Sequence, residues 1–152
     1  MTYALGEKSL KNLNGVHPNL VRLVKQAIAV SKQDFGVHEG LRTPETQAEY
    51  LRRGVTRTLK SKHLKQADGY SHAVDLVPYI NGVLRWEWPL IYPIATAMRA
   101  AAIGNGIRVR WGGVWDFALN DLPSGLEGAV RGYADRHPGP DFLDGPHYEL
   151  TI

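Results

Sequence analysis

The sequence predicts an α+β fold, a small single domain over residues 1–152 with a central, mostly antiparallel sheet packed by about three helices. Three observations lead there. The chain has 152 residues, 43% hydrophobic and 22% charged, enough for one core and ordinary for a globular protein. Segments of helical period alternate with segments of period two. Finally, Asn81-Gly82 sits between two strand-like runs, a pair that favours a tight antiparallel hairpin because both residues tolerate positive φ.

In chain order, the first helix is expected within Pro18 to Ser31. Leu20, Leu23, Val24, Ala27 and Ile28 recur there at helical spacing, and Pro18 suits the first turn. His17, just outside it, reads as a surface or capping residue. A short strand follows at Phe35-Gly-Val-His38. A second helix starts with Thr43 as N-cap, Pro44 at its first position and Glu45 in its first turn, and Gly54 stops it. From Val55 to Tyr70 periodicity disappears and Arg57, Lys60, Lys62 and Lys65 accumulate. This is a long connection for a compact domain, which marks it as a candidate functional segment.

His72 to Ile80 is the next strand, and Asn81-Gly82 turns it into Val83 to Trp86. A third helix runs from about Pro89 to Ile103, presenting Ile91, Ile94, Ala95, Met98 and Ala102, with Gly104 and Gly106 ending it. A strand at Ile107 to Trp111 leads into Gly112-Gly113-Val-Trp115-Asp116. Residues Phe117 to Phe142 show little pattern and read as a surface flap or irregular excursion. Pro146 to Ile152 alternates as a closing strand.

Composition removes several classes. Cysteine is absent, which excludes disulfides and thiolate metal sites and leaves histidine and carboxylate as ligands. No apolar run approaches ~18 residues, so no membrane insertion is expected. The N-terminus lacks the basic-then-apolar pattern of a signal peptide, and the expected place of synthesis and folding is a cytosol. A net charge of +3 favours polyanions mildly, nucleic acid and cell-wall polymer alike. The basic Val55–Tyr70 segment has no aromatic before Tyr70 on which bases could stack, so no specific nucleic-acid partner is expected.

The chemistry concentrates in Ser61-Lys-His63, Ser71-His-Ala-Val-Asp75 and Asp144-Gly-Pro-His147-Tyr-Glu-Leu150. A carboxylate inside an apolar strand needs cationic compensation. Strand alternation puts His72 and Asp75 on opposite faces, whereas His63, on a loop, is free to reach Asp75. A His63/Asp75/His147 set meets the two-histidine, one-carboxylate requirement of a catalytic zinc ion. Asp144, three residues before His147, is placed to act as a base, and Arg42 is a candidate positive group for a developing oxyanion. The same spacing also accommodates a solvated His63, an Asp75 paired with an arginine and a His147 packed in the closing strand. Glu149, on the strand face of His147, reads as an orienting group or as half of a surface ion pair.

Four blocks in order carry a resemblance. They are Gly40-Leu-Arg42-Thr43 with Gln47, Tyr50, Leu51 and Gly54; Ser61-Lys-His63 with His72-Ala-Val-Asp75; Trp111-Gly-Gly-Val-Trp115; and Asp144 to Leu150. Together they resemble zinc peptidases of peptidoglycan that include the D-alanyl-D-alanine carboxypeptidases, and more closely the phage endolysins that are L-alanyl-D-glutamate peptidases. The resemblance implies Zn2+ on His63, Asp75 and His147 at the sheet face, Asp144 as base and Arg42 at the scissile carbonyl. It further implies hydrolysis of a stem-peptide bond of the wall, by a monomer that waits in the host cytoplasm until lysis.

One departure stands out. Twelve residues separate His63 from Asp75. That exceeds the family spacing by about five, inserted around Lys65 to Gly69, with Ser71 where a glycine is usual; a longer loop costs little in closure entropy. A carboxypeptidase of the same family, a zinc-containing wall-binding module without catalysis, a wall glycosidase and a basic nucleic-acid-binding domain are the alternatives.

Overall fold

The computed structural model describes residues 2–56, 58, 60–139 and 143–151. Arg57, Phe142 and Ile152, each named above, lie outside the described residues. Five helices and six strands follow one another as α1 (Glu7–Asn12), α2 (Pro18–Val30), β1 (Phe35–Glu39), α3 (Pro44–Arg52), β2 (Ala73–Ile80), β3 (Val83–Leu84), α4 (Trp88–Asn105), β4 (Val109–Gly112), β5 (Val114–Ala118), α5 (Leu126–Arg136) and β6 (Asp144–Leu150).

The strands form one sheet in the order β1-β2-β6-β4-β5, with β3 paired to β2, and every pairing is antiparallel. Side-chain alternation divides the sheet into two chemically distinct faces. Val74 and Leu76 of β2, Val109 and Trp111 of β4, and Tyr148 and Leu150 of β6 point into the hydrophobic core with α2 and α4. The intervening residues, Ala73, Asp75, Arg110, His147 and Glu149, occupy the other face. Register aligns them, since Asp75 is opposite His147, Ala73 opposite Glu149 and Arg110 opposite Glu149.

The core residues are those the helical periodicity nominates. Leu20, Leu23, Val24, Ala27 and Ile28 are all buried on α2, as are Ile91, Ile94, Ala95, Met98 and Ala102 on α4. Caps match as well. Thr43 accepts from the Thr46 amide at 3.1 Å, His17 is the N-cap of α2 and accepts from the Asn19 amide at 3.0 Å, and Gly106 closes α4 in the left-handed region at φ 63°.

Two helices exceed the sequence expectation. Helix α1 buries no side chain and shows no apolar face to read. Helix α5 occupies part of the stretch that reads as an irregular excursion. Its buried residues, Leu126, Val130 and Tyr133, have helical spacing but are separated by Gly128 and Gly132, which dilute the signal. Residues Val114–Ala118 are also a strand and not a glycine-rich turn alone, and β6 begins two residues earlier than Pro146. Among the described residues, no helix is long and apolar enough to cross a membrane.

Candidate metal centre and active site

The site grows from one cross-strand row. Glu39 of β1, Asp75 of β2 and His147 of β6 are register partners, so three adjacent strands bring two acids and an imidazole to neighbouring positions. The β4–β6 register then shifts between Trp111 and Gly112, from Tyr148 to Asp144. The Trp111 indole holds this irregularity by donating to the Gly145 carbonyl at 2.7 Å. The shift carries Asp144 alongside the row, opposite Gly112.

His63 arrives from the loop between α3 and β2, and it is almost fully buried, at 2% exposure. Its backbone is fixed on both sides. The Arg42 amide donates to the His63 carbonyl at 2.9 Å, and the His63 amide donates to Ser61 Oγ at 3.1 Å. Its Nδ1–H donates to the Gly40 carbonyl at 2.8 Å, which leaves Nε2 facing Asp75 Oδ1 at 3.2 Å. Gly40 cannot carry a side chain there, because a Cβ would lie 2.2 Å from the Asn12 carbonyl oxygen.

His147 presents the opposite nitrogen. Nε2–H donates to Glu149 Oε1 at 2.8 Å, and Nδ1 faces Asp75 Oδ1 at 3.4 Å. Each imidazole therefore donates its outer N–H to a carbonyl or carboxylate and turns its other nitrogen toward Asp75, the arrangement that fixes tautomer and orientation in metal-binding histidines. One ligand atom from each of His63, Asp75 and His147 lies within 4.8 Å of the others, the one such group among the described residues. Nitrogen, nitrogen and carboxylate oxygen at that separation, on buried or half-buried side chains, suit a divalent transition metal. Of the alternative reading's three parts, two do not hold, since His63 is buried and Asp75 is paired with imidazoles and not with an arginine, while the third does, since His147 is buried in β6.

Burial and charge tune these groups in opposing directions. Burial alone would raise the Asp75 carboxyl, but the charges and hydrogen bonds of His63 and His147 outweigh it and hold Asp75 well below the usual range. Asp144 is pushed up to about 6, first by burial and then by the negative charge of Asp75. His147 reaches about 10: burial disfavours the imidazolium, but hydrogen bonds to Asp75 and Glu149 and the charges of Asp75 and Asp144 overcome it. A cluster with this much negative charge around two imidazoles is poised to exchange a proton for a dication.

Arg42 lines the same cleft. Its guanidinium bonds Glu39, donates to Gln47 Oε1 at 2.7 Å and lies 4.7 Å from the Tyr50 ring centroid. Tyr50 in turn donates to Glu39 Oε2 at 2.9 Å. Gln47, fully buried, reaches the Thr58 carbonyl at 2.6 Å and so ties helix α3 to the basic loop. The resemblance blocks contain Gln47 and Tyr50, whereas Glu39 escapes the sequence reading. Its one signal is an acid three residues before Arg42.

The cleft encloses about 820 Å3. Its floor is His63, Asp75, Asp144, His147 and Glu149, and Trp86, Trp115 and His38 also line it. Trp115 packs 5.5 Å from the His147 ring, whereas Trp111 is buried in the core. His72 turns away from the metal group: its Nε2 bonds Asp68 Oδ2 at 2.7 Å, and its ring packs 5.4 Å from His17. Asp68 belongs to the stretch Lys65 to Gly69, where the sequence reading expects an insertion. These residues fold into a tight turn, with Gln66 and Gly69 amides bonding Tyr70 and Gln66 carbonyls, and none of Lys65 to Gly69 lines the cleft. This turn lies on the His17–His72 side, outside the lining of the cleft.

Comparisons with known proteins give the chain its relatives. The model of the family described as phage L-alanyl-D-glutamate peptidase matches residues 1–151. An L-alanyl-D-glutamate peptidase of Escherichia phage T5 is 30% identical over 120 residues, spanning 76% of this chain and 84% of that protein. The crystal structure of the Serratia marcescens L-Ala D-Glu endopeptidase ChiX superposes with a TM-score of 0.71 at 38% identity. It covers 95% of this chain and 87% of that one.

Proposed function

The chain belongs to the phage L-alanyl-D-glutamate peptidase family, and from that premise we propose that it is a zinc-dependent endolysin cutting the L-alanyl-D-glutamate bond of the peptidoglycan stem peptide. The observation that carries the reading is the convergence of His63, Asp75 and His147 on one point at the floor of a cleft, with the carboxyl of Asp144 beside them. Those three side chains would hold Zn2+, which would supply Lewis-acid chemistry for activating water and polarising a carbonyl.

The chain's own residues supply the rest. Asp144, as carboxylate, takes the proton of the attacking water and returns it to the departing amine. Its partial burial raises its basicity, so it accepts that proton more readily than an exposed aspartate would. Arg42, held in the cleft wall by Glu39 and Gln47, offers fixed N–H donors toward the carbonyl oxygen as negative charge develops. Glu149 and the Gly40 carbonyl keep the two imidazoles turned inward. The enzyme acts as a monomer, held in the host cytoplasm until the membrane opens and then reaching the wall.

Mass spectrometry of digested peptidoglycan tests this directly. The wild type should release L-alanine carboxyl termini and D-glutamyl amino termini, while Asp144→Ala and His147→Ala should release neither and remain folded. Cleavage at a D-alanyl-D-alanine bond would reassign the enzyme to the carboxypeptidase branch, and undiminished lysis by both variants would sink the site.

A further inference from the structure

The basic loop that the fold leaves without an obvious task faces the cleft. Lys60 and Lys62 line it together with His63, Asp75, Asp144 and His147. Neither lysine forms an ion pair among the described residues, whereas three of the four acids that line the cleft have partners of their own, the fourth being Asp144. Glu39 is taken by Arg42 and Tyr50, Asp75 by the two imidazoles, and Glu149 by His147 with Arg110 Nη1 at 3.7 Å. Lys62 sits close enough for its charge to act on Glu149. The loop therefore brings two lysines that form no ion pair among the described residues to one wall of the cleft.

The backbone that carries these lysines is anchored. The Lys60 amide donates to Thr58 Oγ1 at 2.9 Å, and Gln47 Nε2 holds the Thr58 carbonyl at 2.6 Å. The Lys62 carbonyl accepts from the His72 amide at 2.8 Å and from Ser71 Oγ at 3.4 Å. A loop fixed by its backbone keeps both lysines at the edge of the cleft, so less chain has to be ordered when an anion binds.

Resting on the peptidase reading above, the substrate has a matching anion. D-Glutamate has two carboxyl groups and one amine. The amine is in the scissile bond and one carboxyl continues the peptide, so the other is a free carboxylate within a few bonds of the reacting carbonyl. We propose that Lys60 and Lys62 form the subsite that takes this free carboxylate and makes the enzyme selective for D-glutamyl over its amidated counterpart. A carboxamide cannot accept the same charge-assisted bonds and leaves both ammonium groups unpaired in the cleft wall.

The test uses two stem peptides that differ only in carboxylate against carboxamide at the D-glutamyl carboxyl group that does not continue the peptide. Wild type should favour the carboxylate by about tenfold or more in kcat/KM, the worth of one good charge-assisted bond, chiefly through KM. Raising salt should shrink that preference. In the Lys60→Met/Lys62→Met double variant, which keeps the apolar stems, the ratio of kcat/KM between the two peptides should collapse toward one. Equal cleavage of both peptides by wild type, or an undiminished ratio in the folded, metal-loaded variant, overturns the proposal. If wild type cuts neither peptide, the peptidase reading itself falls and the subsite with it.

Discussion

At the scale of single residues, Asp144 is the group whose environment matters most. Its carboxyl is raised to about 6 by burial and then by Asp75, while His147, His63 and Arg42 pull it down. A base must be ionised, so activity is lost as pH falls through its pKa. A dication between His63, Asp75 and His147 adds positive charge nearby and moves that pKa below its metal-free value. NMR titration of the Asp144 carboxyl should show a midpoint near 6 in metal-free protein and a lower one on zinc loading, with the acidic limb of activity following the lower value. A midpoint unmoved by metal would place Asp144 too far away to serve.

Residue identity was readable in the sequence where chemistry is scarce. Cysteine's absence left few ligand types, and the strand-face argument separated His63 from His72 correctly. The partner that holds His72 was not readable. Asp68 lies in the inserted turn, and nothing in local spacing says that this turn folds back on His17 and His72. The two readings of Glu149 also merge, because it both orients His147 and lies near Arg110.

At the scale of elements, the β4–β6 pairing decides where Asp144, the proposed base, stands. Gly112 faces Asp144 across the two strands, and a Cβ at position 112 would lie 2.0 Å from the Asp144 carbonyl oxygen. Backbone must therefore move if any side chain is added. Gly112→Ala should destabilise the fold by about 1–3 kcal/mol in urea denaturation, the usual cost of overpacking. Its effect on kcat should exceed what partial unfolding explains, since the displaced strand carries Asp144. A variant with wild-type kcat and stability would show that the register is not needed to place the base.

Elements with strong periodicity and caps were legible, and those without were not. Helix α2 shows its buried stripe in sequence because each apolar position repeats on one face. Helix α1 has no buried residue, so burial leaves no pattern to find. In α5 two glycines interrupt a three-residue stripe, and tertiary packing against α4 and β5 supplies what local propensity does not.

For the whole molecule, the proposed metal site links ion binding to stability. His147 has a pKa of about 10, far above the ordinary 6.5 of imidazole. In the metal-free protein its stabilising contribution is fully present below about 6.5 and lost as pH rises through about 10. A metal ligand must be neutral, so zinc competes with that proton and binds more tightly as pH rises. Both effects widen the stability gap between loaded and stripped protein at higher pH. Chelation should lower Tm at pH 8 by more than at pH 6; at free metal about 1,000 times Kd the loss is ~4 kcal/mol. An identical Tm with and without chelator at both values would exclude metal from this site.

What the sequence determined by itself is the chemistry and its local frame. The ligand types, the alternating strand that carries Asp75, the capped helices and the order of four motif blocks are all short-range properties, set by neighbouring side chains and backbone preference. Tertiary structure decided how those blocks meet. Strand register places His147 opposite Asp75, a shift in the β4–β6 ladder brings Asp144 beside them, and the loop hydrogen bonds of His63 choose its inward nitrogen. Those are pairings between residues 12 to more than 70 positions apart, and they depend on which surfaces the core buries together, information that no local stretch of chain contains.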